Sequence, residues 1–376
     1  MSMKIVYVLV SDVSDYYLEQ TYVSLLSLRR YNPFIEVVLV VDEYTFGNMV
    51  DERSCLLPFV NEYFVQKVDT NLSKKVRSRI LKTRLRDIID GAFIYIDCDT
   101  IVLGELPPIS MDCDIAAVYS CHYKVLSQSP SYYSVLCEMD ACGEIPESEE
   151  YFNGGVIYAK DSVRAHIFFS KWGELYKSYY LNHNIDSDQQ SLYVTNIRMG
   201  EIVKELSGIW NYQVGYGLEY ITKAIIFHYL FSTCQGRRLP VHLFQTKEFM
   251  EKVRRNIGNK DCFIPLIEKA RFSFLQEARI TATHDELSII AEHLVGFAKN
   301  RFIYLYGQNT RNKMANYLFK KANIRICGII KTGFSPIEDF TKIGIVILGP
   351  QKANEESISK LALMGFIHFF PIDTEV

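Results

Sequence analysis

Residues Phe93 to Thr100 read FIYIDCDT, an apolar strand-like run ending in two aspartates one residue apart. A strand alternates its side chains, so extended backbone through this point sends Asp97 and Asp99 to the same side. Two carboxylates held together repel unless a cation lies between them. Their hard oxygens suit Mn2+ or Mg2+, and a cation held there could in turn grip a diphosphate. The plainer reading is a strand end with two solvated aspartates, since so short a motif often arises by chance. Residues elsewhere in the chain have to decide.

Tyr151 to Val156 reads YFNGGV, with Asn153 followed by Gly154 and Gly155. Paired glycines let a backbone approach a ligand closely. Ser187 to Leu192 reads SDQQSL, which sets Asp188 and Gln189 at a helix start. His228 follows the run Ala224 to Phe227. A single histidine beside a strand is more often packed or hydrogen-bonded than a ligand, but an imidazole added to two carboxylates accommodates Mn2+ well. Before the aspartates, Lys75, Arg79, Lys82 and Arg86 are spaced by four, three and four, which makes one basic stripe on a helix. Such a stripe is ordinarily a solvated face. Near the end of the first strand, Val10 and Ser11 offer main-chain groups to a nucleobase and Tyr17 a ring to stack on it. A strand end and a helix start explain those three equally well.

Two families place D-x-D after a strand. In phosphatases of the haloacid dehalogenase type the first Asp is a nucleophile, but Asp97, Asp99 and Ile101 fit that pattern only partly. The other family is that of nucleotide-sugar glycosyltransferases. Asp97/Asp99, Phe152 to Val156, Asp188/Gln189 and His228 occur in its order over roughly residues 3 to 245. On these motifs the chain resembles the retaining GT-A-type glycosyltransferases of the glycogenin and lipopolysaccharide galactosyltransferase family, glycosyltransferase family 8. The resemblance implies a nucleotide-sugar donor, a UDP-hexose, and a glycan or lipid-linked acceptor, with retention of configuration. It implies Mn2+ (or Mg2+) on Asp97, Asp99 and His228. It puts Arg79, with Lys82 beside it, at the donor nucleotide and the metal-site aspartates, with Arg84 as an alternative. It puts Asn153 and Gly154 at the donor, Asp188 on the sugar hydroxyls and Gln189 nearest the anomeric carbon. One departure stands out. The family often carries a Gly and then a Lys after the histidine, whereas Tyr229 to Arg238 here reads YLFSTCQGRR. Two other classes stay open: a phosphatase acting through Asp97, and a sugar-nucleotide-binding protein without turnover.

The elements that must position these residues alternate. Lys4–Val10, Glu36–Val41, Tyr63–Val68 and Ala92–Ile96 read as strands. Tyr17–Arg30, a stretch from Asn48, and Ser73–Ile89 read as helices. Apolar strands separated by helices imply a parallel sheet covered on both faces, with a ligand crevice beyond the strands' carboxyl ends. Asp114–Tyr119 and Gly155–Tyr158 add strands, and Ser162 to about Tyr180 an aromatic helix. The expected fold is α/β: a GT-A-like, Rossmann-type mixed sheet flanked by helices over residues 1–265, then a helical connector at 266–300. A smaller Rossmann-like α/β domain follows at 301–376, with strands at Phe302–Tyr306, Ile324–Ile330, Ile343–Leu348 and Phe366–Ile372 and helices near 313–321 and 355–364. Phe302 to Gly307 imitates a dinucleotide-binding turn, but Gln308 to Asn312 lack the later glycines that admit a pyrophosphate. Partner contact, including a homo-oligomer, is the role left for this domain.

Composition sets the outer limits. Forty-one Lys and Arg against 44 Asp and Glu leave a formal charge of −3, without the basic excess of a nucleic-acid binder. With 48% hydrophobic and 23% charged residues the chain is an ordinary globular one, and 376 residues suggest two to three domains. The nine cysteines are odd in number and form no C-x-x-C pair, which speaks for free thiols in a reducing cytoplasm. The apolar run Ile5 to Val10 is too short for a signal-peptide core or a membrane span. The expectation is a cytoplasmic protein, brought to the inner face of the membrane only if its acceptor is lipid-linked.

Overall fold

The structure, a computed structural model, describes residues 3–273 apart from 110–111, 130, 215–219, 221–222 and 231–241. Beyond them it describes four strands, at 302–306, 326–330, 344–348 and 368–371. β1 (Lys4–Leu9) and β2 (Val37–Asp42) are rich in β-branched residues and buried along almost their whole length, as strands covered on both faces require. With β3 (Glu62–Gln66) and β4 (Phe93–Ile96) they make a parallel half-sheet ordered β3-β2-β1-β4. The other half changes direction. β7 (Phe152–Ala159) runs antiparallel to β4 and to β6 (Ile115–Tyr119), and β8 (Val203–Glu205) closes the seven-stranded sheet parallel to β6. The α/β class with a mixed, helix-flanked sheet is as expected.

Alternation along the strands sorts the core into two layers. Ile5, Tyr7 and Leu9, with Val37, Leu39 and Val41, pack with α1 (Tyr17–Tyr31), α8 (Lys247–Arg255) and α9 (Ile264–Glu268). Val6, Val8, Val38 and Val40 pack with α3 (Lys74–Lys82), α4 (Leu85–Ile88) and α6 (Val163–His183). Each such side chain, fully buried, contributes about 1.5–3 kcal/mol, and a one-residue slip would exchange both sets at once. That fixes the register, and so the height at which each strand ends in the crevice.

Three local features differ from the sequence reading. The helix expected over Ser73–Ile89 is broken into α3 and α4, because the Thr83 hydroxyl donates back to the carbonyls of Arg79 (3.0 Å) and Ile80 (3.2 Å), a habit that bends helices. The stretch from Asn48 is the 3-10 segment Asp51–Phe59, which contains Pro58, and it follows a short α2 (Glu43–Gly47). Pro58 has no N–H to continue a regular helix. The irregular middle holds α5 (Tyr132–Ala141), which the sequence did not suggest, and α7 (Gln189–Arg198).

A three-stranded sheet was also unforeseen. β10 (Ile226–His228) pairs antiparallel with β5 (Thr100–Val102), placing His228 opposite Thr100, and parallel with β9 (Tyr212–Gln213). Farther on, β11 (Phe302–Tyr306), β12 (Ile326–Ile330), β13 (Gly344–Leu348) and β14 (His368–Pro371) form a parallel sheet ordered β12-β11-β13-β14. The helices expected near 313–321 and 355–364, most of the connector and the turn at 307–312 lie outside the described residues. Among the described residues no cysteine forms a disulfide, and no helix is long and apolar enough to cross a membrane.

Candidate functional site

A cleft of about 310 Å³ opens beyond the carboxyl ends of β1 and β4. β4 ends at Ile96, and the chain turns sharply into β5. The Asp97 amide donates to the Gly155 carbonyl (2.8 Å), and the Thr100 hydroxyl to the Asp97 carbonyl (2.8 Å). The turn leaves both aspartate side chains in the cleft. Pairing of β10 with β5 then brings His228 against them, its Nε2 3.1 Å from Asp99 and 4.0 Å from Asp97. One ligand atom from each of the three residues lies within 4.8 Å of the others. Two carboxylates and an imidazole at that spacing fit a divalent cation such as Mn2+ or Mg2+.

A chain of hydrogen bonds fixes which histidine nitrogen faces the aspartates. The Gly155 amide donates to Asn153 Oδ1 (2.8 Å), which also accepts from Asn211 Nδ2 (2.8 Å). Asn211 Oδ1 is therefore an acceptor, and His228 Nδ1, 3.0 Å away, must carry the proton it receives. Nε2 is left to face Asp99 and a cation. Such an outer partner orients a metal-binding imidazole and fixes its tautomer. Burial works to lower the His228 pKa, but Asp99 and then Asp97 outweigh it and raise the pKa above the ordinary value. The neighbouring Tyr95 hydroxyl donates to Asp97.

Opposite the histidine stands a cation pair from α3. Arg79 lies 2.9 Å from one Asp188 oxygen and Lys82 2.8 Å from the other, with Asp97 at 3.9 and 3.8 Å. Lys82 is 1% exposed and sits over the Tyr95 ring. Asp188 precedes α7 with its carbonyl held by Trp172 Nε1 (3.1 Å) and the Ser191 hydroxyl (2.9 Å), so its side chain turns into the cleft. Burial acts to raise the Asp188 pKa, but Arg79 and Lys82 win and hold it at about 2.

The basic stripe is thus no solvated face. Its middle two members enter the site. Lys75 pairs with Asp186 at the cleft mouth (2.7 Å), while Arg86 turns away, buried over the Phe93 ring. Arg84 is exposed and does not line the cleft.

Val10 and Tyr17 line the cleft as well, whereas Ser11 does not. The Ser11 amide donates to Thr45 Oγ1 (2.9 Å) and its hydroxyl to Asp15 (2.7 Å). Gln189 opens α7 and donates to the Ser120 hydroxyl (3.2 Å). Gly154 and Gly155 carry different burdens. A Cβ at Gly154 would meet the flexible end of Lys82 at 3.1 Å, whereas one at Gly155 would lie 2.4 Å from His228 Cε1. The sequence reading missed Asn211, whose place beside Trp210 carried no motif, and the polar wall formed by Ser120, Ser131, Ser134 and Glu138.

No family model matches the chain, and no curated relative matches it. Solved structures do. The apo bifunctional glycosyltransferase WbbM shares 16% identity at a TM-score of 0.45, over 72% of this chain and 51% of its own. The chain therefore spans about half the length of that protein. The galactosyltransferase LgtC, solved with donor and acceptor sugar analogs, shares 17% identity at a TM-score of 0.44, over 71% of this chain and 96% of its own. The glycosyltransferase GlyE of Streptococcus pneumoniae shares 13% identity at a TM-score of 0.43, over 100% of this chain and 81% of its own. The likeness is distant.

Proposed function

We propose that this chain is a metal-dependent glycosyltransferase that moves a hexose from a nucleotide sugar, a UDP-hexose, to an acceptor hydroxyl with retention of configuration. The observation that carries this reading is one cleft holding the Asp97–Asp99–His228 group face to face with the Arg79–Lys82–Asp188 cluster. Three carboxylates against Arg79 and Lys82 leave one net negative charge when His228 is neutral. A diphosphate would be repelled by that cluster alone and attracted once a divalent cation is added. A cation held by Asp97, Asp99 and His228 would act as a Lewis acid on the leaving diphosphate.

The roles of the remaining side chains follow from their chemistry. Arg79 and Lys82 neutralise charge on the diphosphate as it departs. Asp188 has both oxygens engaged and a depressed pKa, which makes it a poor nucleophile. Its remaining lone pairs can still orient sugar hydroxyls. Gln189 offers a carboxamide, weaker still as a nucleophile. Same-face attack suits this set better than a double displacement. The acceptor oxygen bonds to the anomeric carbon, the bond from that carbon to the diphosphate oxygen breaks with its electrons, and the acceptor proton passes to the departing diphosphate. Val10 and Tyr17 flank the nucleobase. In this reading the chemistry belongs to the domain assigned to residues 1–265, and 301–376 are a further domain.

The test is transfer from a panel of UDP-hexoses with Mn2+, the product anomer read by proton NMR. Retention is expected; an inverted product would contradict the assignment. Gln189→Ala should lower turnover about tenfold or more, losing an oriented group near the reacting carbon, while UDP affinity stays near wild type. Loss of UDP binding by a folded Gln189→Ala protein would refute its placement beside the sugar.

A further inference from the structure

Two successive lining residues, Asp188 and Gln189, and the buried Gln190 behind them run from one end of the cleft to the other. Asp188 faces the α3 cations, Gln189 reaches the Ser120 hydroxyl, and Gln190 donates to the carboxylate of Glu138 on α5. Beyond Gln189 the wall changes character. Ser120, Ser131 and Ser134 line it with Glu138, and Ser134 donates to Glu138 Oε1 (3.1 Å). The Tyr151 phenol, raised by burial well above its ordinary pKa, stays neutral there. Every Lys or Arg among the described lining residues (Lys74, Lys75, Arg79 and Lys82) belongs to α3, on the other side. The cleft therefore has a metal-binding end that holds the α3 cations and a hydroxyl-rich end whose one carboxylate among the described lining residues is Glu138.

We propose that this second wall is the acceptor subsite, that it takes an uncharged polyhydroxyl sugar, and that Glu138 is its anchor. The proposal rests on the glycosyltransferase reading above. A carboxylate has about four lone-pair sites, and Ser134 and Gln190 each take one. About two remain for acceptor hydroxyls, and hydrogen bonds to a charged acceptor are the strong ones. A phosphate or carboxylate on the acceptor near the reacting hydroxyl would instead meet Glu138, with no lining cation on that side among the described residues to offset it. An acceptor carrying a diphosphate close to its sugar is disfavoured for the same reason.

The experiment uses the full chain with saturating Mn2+ and UDP and follows the binding of methyl hexosides and the matching hexose 6-phosphates by saturation-transfer NMR. Methyl hexosides should bind and the 6-phosphates should bind more weakly. Glu138→Ala should weaken methyl hexoside binding about tenfold or more, and Ser134→Ala less, with the affinity for UDP measured separately and unchanged. Tighter binding of the phosphates, or full hexoside affinity in both variants, would overturn the proposal while leaving the donor site intact. Failure of UDP to bind the wild-type protein would overturn the glycosyltransferase reading itself, and the acceptor assignment with it.

Discussion

Gly155→Ala isolates the histidine's role from that of the rest of the cleft. The added Cβ would stand 2.4 Å from His228 Cε1, 2.7 Å from its Nδ1 and 2.9 Å from Asn153 Oδ1. Carbon atoms pack at about 3.5–4.0 Å, so the ring must retreat by roughly 1 Å. Its bonds to Asn211 and Asp99, 3.0 and 3.1 Å long, would then stretch past the limit of a hydrogen bond. Losing the orientation of a metal-binding imidazole typically costs about ten- to a hundredfold in metal affinity. The buried groups left unpaired should lower stability by about 1–3 kcal/mol. Gly154→Ala is crowded by the end of the Lys82 side chain at 3.1 Å, with Asp188 and Leu192 at ordinary contact distances of 3.6 and 3.7 Å, and should disturb metal binding far less. Titration of Mn2+ followed by electron paramagnetic resonance, with urea unfolding alongside, separates the two effects. Wild-type Mn2+ affinity in a folded Gly155→Ala protein, or greater damage from Gly154→Ala, would falsify this account of the histidine.

Two further outcomes follow from the same hydrogen-bond chain. Asn211→Ala removes the acceptor of the His228 Nδ1 proton and should weaken Mn2+ binding about tenfold or more, with partial rescue by Asn211→Asp, which keeps an acceptor there; equal affinities in all three proteins would show that Asn211 only fills space. The second concerns pH. The His228 pKa is raised, against burial, by Asp99 and Asp97, so below that pKa a proton occupies the nitrogen a metal needs. Mn2+ affinity measured by calorimetry should therefore climb by up to about tenfold per pH unit, and keep climbing above the ordinary histidine range before it levels off. A flat profile between pH 6 and 8 would exclude His228 from the ligand set.

The sheet and the end of β4 before the aspartates were legible because their signals are local, whereas a sharp turn after Ile96 replaces the extended backbone expected through Asp97 and Asp99. FIYI is a continuous apolar run, and the charges that follow it end the strand whatever the tertiary context. Helix α7 was legible at its start from Asp188 and Gln189. What was not legible is carried by contacts between distant residues. β5, β9 and β10 are two or three residues long, too short for any periodicity, yet their pairing is what carries His228 to Asp99. Asn211 has no motif of its own, and its importance lies in two hydrogen bonds to residues 58 and 17 positions away. The basic stripe was legible as a stripe, but only the packing of α3 shows that Arg79 and Lys82 enter the site while Arg86 leaves it. Ser11 reads as well as Val10 in sequence, and only the contact with Thr45 separates them.

The central claim is that Asp97, Asp99 and His228 hold a divalent cation that makes this cleft a nucleotide-diphosphate site. Isothermal titration of UDP into the full chain, with and without Mn2+, tests it most directly. The account predicts clear UDP binding with Mn2+, at least about tenfold weaker binding without it, and loss of the Mn2+ effect in Asp99→Asn. No UDP binding under either condition, or an affinity indifferent to Mn2+, would contradict it.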